Sequence, residues 1–260
     1  MTVSSGDFFW YDVMTSDPKP AADFYTKVVG WGAEEAGVEG SSYTVLELDG
    51  GKGMGVAGLM PIPPDAKSRG AQPGWNGYVY VDDVDAMTKR AIDAGGEQMH
   101  EPTDIPTVGR FSVVADPQGA VFALFKPNPR DDDVNWPKPM TPGTVGWHEL
   151  HAADGAKAFD FYGKLFDWEK KEAMDMGPMG TYQLFATSDE AVGGIMTDNR
   201  VPRPYWLYYI AVDAIDAAVE RVKAGGGEVL NGPMEVPGGA WVIQGRDPQG
   251  AIFALVAPKR

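Results

Sequence analysis

The segment Trp147–His151, with the sequence WHELH, brings together side chains that can transfer protons or bind a metal ion. It contains two of the three histidines of the chain. If the segment is a β-strand, Glu149 and His151 share one face, because successive side chains of a strand point to opposite faces. A carboxylate beside an imidazole can act as an acid–base pair or supply two metal ligands. Alternatively, Glu149 is only a polar residue of a cavity wall and His151 a surface residue at the strand end.

An internal duplication allows each candidate residue to be compared with a counterpart. The segment Asp116–Leu124 (DPQGAVFAL) returns almost unchanged as Asp247–Leu255 (DPQGAIFAL), and Trp10 near the start of the first copy corresponds to Trp147 in the second. Where the copies agree, shared architecture is the simplest explanation. Where they differ, one copy can hold a site that the other lacks.

The duplication separates two kinds of candidate. Asp12 is the counterpart of Glu149, so an acid is kept on this strand in both copies. Each acid follows a tryptophan by two positions, and partial desolvation there suits a general base. Each acid can instead accept hydrogen bonds from Tyr or Trp donors and anchor its strand. The counterpart of His151 is Met14, so any histidine chemistry is confined to the second copy.

Composition excludes several classes of function. The 260 residues are 43% hydrophobic and 23% charged, as in soluble globular proteins. A net charge of −15 opposes binding to nucleic acid or to an anionic membrane. The absence of cysteine excludes disulfides and thiolate metal sites, and no segment approaches the about 18 apolar residues of a membrane span. The start of the chain lacks the features of a signal peptide. We therefore expect a cytoplasmic monomer or homodimer whose partner is a small molecule.

Each copy is predicted to contain the unit strand–helix–strand–strand–strand twice. In the first unit Asp17 is placed to cap a helix, with Pro18 at the first helical position and Gly30 at the end. The elements predicted for the first copy are strands at 9–14, 33–35, 43–48, 54–60, 78–81, near 97, at 111–114 and at 120–125, with helices at 21–29 and 84–94.

Two segments are predicted to be irregular. The stretch Pro61–Pro73 is interpreted as a loop, and the glycine-rich stretch Gly50–Gly55 as a hairpin turn, since it lacks the Lys-Ser/Thr ending of a phosphate-binding loop. Between the copies lies a Pro- and Asp-rich linker. We predict domains at residues 6–127 and 144–260, joined by a linker at 128–143.

Several aromatic and thioether side chains are candidates to line a pocket for a planar apolar ligand. Residues of this type more often belong to the core, so we expect only part of the set to line a cavity. The candidate ligand-binding residues are Trp10, Trp147, Met60, Tyr78, Met196 and Trp241.

These motifs together resemble those of the vicinal-oxygen-chelate superfamily. They are Trp-x-Asp or Trp-x-Glu in the first strand, Phe-Tyr in the first helix and Asp-Pro-Gln-Gly before the last strand. Glyoxalase I, bleomycin-resistance proteins and extradiol dioxygenases belong to this superfamily. The chain is most similar to its two-copy members, often described as hydroxylases or secreted antigens. The resemblance implies an α+β fold of four βαβββ modules in two tandem glyoxalase-like domains. Their curved, mostly antiparallel sheets surround open cavities, with modules paired within one copy or exchanged between copies.

The resemblance also implies where a metal would be held, at fixed points on four strands of each cavity. None of the residues there is a good ligand for a divalent cation, which prefers carboxylate oxygen or imidazole nitrogen. The resemblance therefore predicts the fold without the usual metal centre, and no cofactor. The implied positions are Trp10 and Trp147, Asn76 and Leu207, Ala123 and Ala254, and Gly58 and Gly194.

Three functions stay open. The first is binding of a small carbonyl or aromatic metabolite without a metal. There Asp12 and Glu149 would serve as polar contacts or a possible base. The second is a lyase or isomerase that abstracts a proton next to a carbonyl, with Glu149 as the base and His151 assisting. The third is sequestration of a drug or toxin, as in the bleomycin-resistance members.

Overall fold

Four βαβββ modules make up the chain, as the sequence predicts. The computed structural model describes residues 3–37, 42–129 and 136–260. The first copy consists of β1 (Phe8–Thr15), α1 (Pro18–Val29), β2 (Gly32–Glu35), β3 (Thr44–Glu47), β4 (Gly55–Pro61), α2 (Pro64–Ser68), β5 (Gly74–Tyr80), α3 (Val84–Asp93), β6 (Glu97–Ile105), β7 (Gly109–Ala115) and β8 (Val121–Pro127). The second consists of β9 (Val145–Ala152), α4 (Gly155–Phe166), β10 (Glu169–Asp175), a 3-10 turn (Gly177–Met179), β11 (Thr181–Ala186), β12 (Ala191–Thr197), β13 (Tyr205–Ala211), α5 (Ile215–Ala224), β14 (Glu228–Glu235), β15 (Trp241–Arg246) and β16 (Ile252–Ala257).

Each copy forms one eight-stranded mixed sheet. The strand orders are β2-β3-β4-β1-β5-β8-β7-β6 and β10-β11-β12-β9-β13-β16-β15-β14. The first strand of each module pairs in parallel with the last, as β1 does with β4 and β9 with β12, and the outer pairings are antiparallel. This is the expected α+β architecture with mostly antiparallel sheets. No helix of the described segments is long and apolar enough to cross a membrane.

Some local predictions are confirmed and others are corrected. Gly30 ends α1 in the left-handed conformation at a φ of 92°, and Pro18 begins the helix. Asp17 occupies the capping position, but its side chain accepts no capping hydrogen bond, whereas Asp154 accepts one from the Lys157 amide. The difference follows from the third helical residue, which supplies the capping amide: it is Lys157 in α4 but Pro20, which has no N–H, in α1.

The irregular segments are only partly as predicted. The stretch Pro61–Pro73 is not all loop, because a short exposed helix, α2, lies within it. The stretch Gly50–Gly55 is the turn of the β3–β4 hairpin, closed by a bond from the Leu48 amide to the Met54 carbonyl. Of the predicted linker, residues 130–135 lie outside the described residues, so the domain boundaries stay a prediction.

The chain divides into two compact units, each built from both sequence copies. One unit contains residues 1–9, 77–136 and 148–206, and the other contains 10–76, 137–147 and 207–260. A helix of one copy therefore packs on the last strand of the other. In the second unit, Phe253 of β16 lies 5.5 Å from the ring of Phe24 in α1. In the first unit, Phe122 of β8 lies 5.4 Å from Tyr162 in α4.

The same three-residue hydrogen-bonded chain stands in the core of each unit. In the second unit Trp75 Nε1 donates to the Tyr25 hydroxyl, and that hydroxyl donates to Asp247 Oδ2, both at 2.9 Å. In the first unit the corresponding chain consists of Trp206, Tyr162 and Asp116, with distances of 3.0 and 3.1 Å. The other oxygen of Asp247 accepts the amides of Gln249 and Ala251, and Asp116 repeats this arrangement with Gln118 and Ala120.

We expect Tyr25→Phe and Tyr162→Phe each to lower the free energy of unfolding by about 1–3 kcal/mol, because each leaves a buried indole N–H and a carboxylate oxygen without a partner. Urea unfolding followed by circular dichroism measures this loss. Tyr80→Phe is the control, since its hydroxyl bonds to Asp82 at the surface, and about 0.5 kcal/mol or less is expected there. Equal losses of unfolding free energy in the three variants would show that the buried Trp–Tyr–Asp hydrogen bonds contribute no specific stability.

Candidate functional site

Six polar side chains of the second copy form one connected group, here called the second-copy cluster. Two members stand on β9, one on β11, two directly after β12 and one at the first residue of β13. All of them belong to the first compact unit. The cluster consists of Glu149, His151, Tyr182, Asp198, Arg200 and Tyr205.

His151 lies at the centre of the cluster, between two carboxylates. Its Nε2 is 2.8 Å from Glu149 Oε1, and its Nδ1 is 2.9 Å from Asp198 Oδ2. The side chain is buried, at 5% exposure, so the alternative of a surface histidine at a strand end is wrong. The predicted sharing of one strand face by Glu149 and His151 is confirmed by their direct contact.

The outer members of the cluster hold the two carboxylates in place. The Tyr182 hydroxyl donates to Glu149 Oε2 at 2.9 Å. Arg200 donates to both oxygens of Asp198, through Nε at 2.7 Å and a terminal nitrogen at 2.9 Å. The ring of Tyr205 stacks on His151 with centroids 4.7 Å apart and planes 2° apart.

Local backbone structure explains why Asp198 reaches His151. Strand β12 pairs in parallel with β9, and Met196 lies opposite His151. The amide of Asp198 then bonds to the Ala152 carbonyl, which keeps the chain beside the end of β9. The Arg200 amide donates to Asp198 Oδ1 at 3.1 Å, so the three residues that follow β12 are enough to form the Asp198–Arg200 pair.

The charges of the cluster alternate and shift the protonation of its members. Burial by itself lowers the pKa of His151, but the hydrogen bonds and charges of Glu149 and Asp198 outweigh burial and raise it. The Arg200 guanidinium holds the pKa of Asp198 far below its usual range. Both effects favour an imidazolium, whose two N–H groups donate to the two carboxylates. The resulting arrangement can bind a polar ligand or pass a proton along hydrogen bonds.

The other histidine of the WHELH segment plays a different part. His148 points to the opposite strand face and stacks on Phe8 with centroids 4.6 Å apart. Its Nδ1 lies 2.8 Å from the Val192 carbonyl oxygen. Burial lowers the pKa of His148 to about 4, so this residue is a neutral packing side chain near neutral pH.

The first copy keeps only the carboxylate and the phenol. Asp12 is buried, and its Oδ1 accepts the Tyr43 hydroxyl at 2.6 Å and Trp10 Nε1 at 3.0 Å. The rest of the cluster has no polar counterpart. Ile62 takes the place of Asp198, since both amides bond to the carbonyl that ends the first strand, and Gly74 precedes Trp75 as Tyr205 precedes Trp206.

The predicted ligand-binding residues belong to both compact units, with Tyr78 and Met196 in the first and Trp10, Met60, Trp147 and Trp241 in the second. Met196 lies on the strand beside His151 and is buried. Tyr78 makes an edge contact with Phe125 at 6.0 Å, and Trp241 lies 4.9 Å from the Arg260 guanidinium. Met60 and Trp147 are partly exposed. A ligand role for these residues stays a prediction.

The positions at which the resemblance implies metal ligands do not fit a divalent cation. A Cβ at Gly58 would lie 1.9 Å from the Tyr43 hydroxyl, and one at Gly194 would lie 2.1 Å from the Tyr182 ring. The two phenols therefore fill the space that a ligating side chain would need. Within residues 3–37, 42–129 and 136–260, no group of three His, Cys, Asp or Glu side chains is placed to hold a metal. In the second-copy cluster, both nitrogens of His151 are already hydrogen-bonded.

Comparison with known proteins agrees with the fold. The model of the Glyoxalase/Bleomycin resistance protein/Dioxygenase superfamily matches residues 8–124 and 144–255, and the chain belongs to this superfamily. It is 33% identical over 252 residues to the Mycobacterium tuberculosis protein named "Putative glyoxylase CFP32", covering 96% of this chain and 94% of that one. It is 34% identical over 259 residues to the "Anthracycline biosynthesis protein DnrV" of Streptomyces peucetius, covering 95% and 91%.

Solved structures share the architecture at low sequence identity. The Mn(II)-bound glyoxalase from Novosphingobium aromaticivorans superimposes with a TM-score of 0.64 at 15% identity, covering 99% of this chain and 83% of that one. The 2,3-dioxygenase LapB from Pseudomonas sp. KL28 gives a TM-score of 0.65 at 12% identity, covering 99% and 93%. These similarities establish the fold and nothing about the reaction.

Sequence reasoning found two of the six cluster members. Tyr182, Asp198, Arg200 and Tyr205 were not singled out. The comparison of copies that distinguishes His151 from Met14 also applies to the last three, whereas Tyr182 has Tyr43 as its counterpart. Asp198 against Ile62 and Tyr205 against Gly74 are replacements of the same kind. The differences between the copies were therefore present in the sequence. The two copies align ambiguously there, however, because their connecting segments differ in length.

The raised pKa of His151 predicts how stability depends on pH. A group whose folded pKa is raised stabilises the fold fully below its unfolded pKa, about 6.5 for His, and loses that contribution as pH rises through the folded pKa. We therefore expect His151→Met, which introduces the residue of the first copy, to be most destabilising near pH 6. The difference in unfolding free energy from the wild type should shrink towards pH 9.

Urea unfolding at several pH values measures this difference. Imidazole NMR checks its cause, with His151 titrating above its ordinary pKa and His148 near 4 as the internal reference. A difference that grows as pH rises, or a His151 resonance that titrates below the ordinary value, would contradict the prediction.

Proposed function

We propose that the chain binds a small planar aromatic or carbonyl metabolite on the face of its second copy that carries Glu149 and His151, without a metal. The observation that carries this proposal is the second-copy cluster, because four of its members have no counterpart of the same kind in the first copy: His151, Asp198, Arg200 and Tyr205. Both copies retain the same modules, so the scaffold does not need these residues. Polar groups that are costly to bury and not needed for folding indicate a site.

The chemistry of the cluster suits such a ligand. The partly exposed ring of Tyr205, which stacks on the buried His151, offers a flat surface, and the surrounding polar groups can bind oxygen atoms of a ligand. One relative is named an anthracycline biosynthesis protein. Anthracyclines are planar polycyclic compounds with ring carbonyls, and so they belong to the class of ligand that is proposed for this chain.

Equilibrium dialysis with 2-(hydroxymethyl)anthraquinone tests this proposal with matched variants of the two copies. We expect Glu149→Gln to weaken binding about tenfold or more, because removing the charge releases His151 from one of its two partners. Asp12→Asn makes the equivalent change in the first copy and should leave the affinity unchanged. Prior dialysis against a chelator should also leave it unchanged.

Each other outcome has a definite meaning. No binding to the wild type, or equal losses in the two variants, would contradict a site in the second copy. A larger loss in Asp12→Asn would place the site in the first copy. Binding that disappears on chelation and returns with a divalent cation would show that a metal is required.

A second function, proton abstraction next to a carbonyl, is favoured by the continuous hydrogen bonding from Tyr182 through Glu149 and His151 to Asp198. Such a row holds the Glu149 carboxylate in a fixed position from which it can accept a proton. If the protein abstracts such protons, it accelerates exchange of the α-hydrogens of 2-tetralone in D2O, which NMR measures. Glu149→Gln should abolish this acceleration, and Asp12→Asn should retain it. Exchange at the buffer rate, together with saturable binding, would leave binding or sequestration as the function.

A further inference from the structure

Tyr205 is the aromatic member of the second-copy cluster whose hydroxyl is still available to a ligand. It is the first residue of β13 and is partly exposed. Its ring takes part in the stack on His151, and its hydroxyl makes no hydrogen bond to any described residue. The buried side-chain polar atoms that lack partners in the described chain are Asn76 Oδ1 and Gln249 Oε1. The Tyr205 hydroxyl is not among them, so solvent reaches it.

The position of this hydroxyl is fixed by the rest of the cluster. His151 cannot rotate without breaking its bonds of 2.8 and 2.9 Å to Glu149 and Asp198. Arg200 in turn fixes Asp198 through two nitrogens. A ring stacked on an immobilised imidazole loses little further conformational entropy when a ligand binds. A hydrogen bond from its hydroxyl therefore contributes more to the affinity.

The first copy supports a ligand role over a structural one. There Gly74 replaces Tyr205 directly before Trp75, and the hydrogen bond from Trp75 to Tyr25 is retained. The strand and its core contact therefore form without a tyrosine at this position. Neither the strand nor its core contact accounts for the tyrosine of the second copy.

We propose that the Tyr205 hydroxyl donates a hydrogen bond to a carbonyl oxygen of the ligand and so selects carbonyl-bearing aromatic compounds over the corresponding hydrocarbons. This inference rests on the proposed binding function and identifies the group that determines its specificity. The protonation of Tyr205 agrees with a donor role. Burial, followed by the charges of Glu149 and Asp198, raises the pKa of Tyr205 to about 12 and keeps the hydroxyl protonated at neutral pH.

A pair of probes that differ in the carbonyl groups tests the inference. Equilibrium dialysis compares 2-(hydroxymethyl)anthraquinone with 2-(hydroxymethyl)anthracene on the wild type, Tyr205→Phe and Tyr80→Phe. We expect the wild type to prefer the quinone about five- to tenfold, as one hydrogen bond provides, and Tyr205→Phe to lose that preference. Tyr80 lies outside the cluster and bonds to Asp82, so its variant should keep the preference.

The outcomes separate this inference from the proposed function. The inference is supported if Tyr205→Phe binds the anthracene probe as the wild type does but binds the anthraquinone probe more weakly. Retained binding of the anthracene probe also shows that the variant is folded. A quinone preference that survives in Tyr205→Phe, or that is absent from the wild type, overturns the inference and leaves the proposed function standing. If the wild type binds neither probe, the proposed function fails, and the inference fails with it.

Discussion

A buried carboxylate in each compact unit is the constraint on which the rest of the structure depends. A carboxylate removed from water is tolerated only when its oxygens accept hydrogen bonds. Asp247 meets this condition by accepting two amides of its own turn and the hydroxyl of Tyr25. The turn, the last strand and a helix from the other sequence copy are thereby connected. Burial raises the pKa of Asp247 even with these donors, which shows how far it is removed from solvent.

The duplicated scaffold separates what the fold requires from what one site requires. Both copies keep a strand carboxylate bonded to a tyrosine, in Asp12 with Tyr43 and Glu149 with Tyr182. These phenols also fill the space beside Gly58 and Gly194, so the pair belongs to the architecture. The additional charges of the second copy extend from this pair, and the first copy forms the equivalent strands without them. One copy could therefore change while the other continued to serve the fold.

Electrostatics explains how the second-copy cluster can be buried in a protein with a net charge of −15. Its formal charges alternate along the row as Glu149, His151, Asp198 and Arg200, so a protonated histidine makes the row neutral. Each buried charge has a partner of opposite sign within hydrogen-bond distance, which offsets the desolvation of both. The exposed Arg200 side chain connects this row with solvent.

The sequence alone determined the four modules, the order of their elements, the superfamily and the shared face of Glu149 and His151, because these follow from local periodicity and from repeated motifs. It did not determine which copy supplies the helix that packs on each last strand, since Tyr25 bonds to Asp247, 222 residues away. Nor did it show that His151 is enclosed by Asp198 and Tyr205. Those contacts depend on strand pairing between distant segments, which only the tertiary structure fixes.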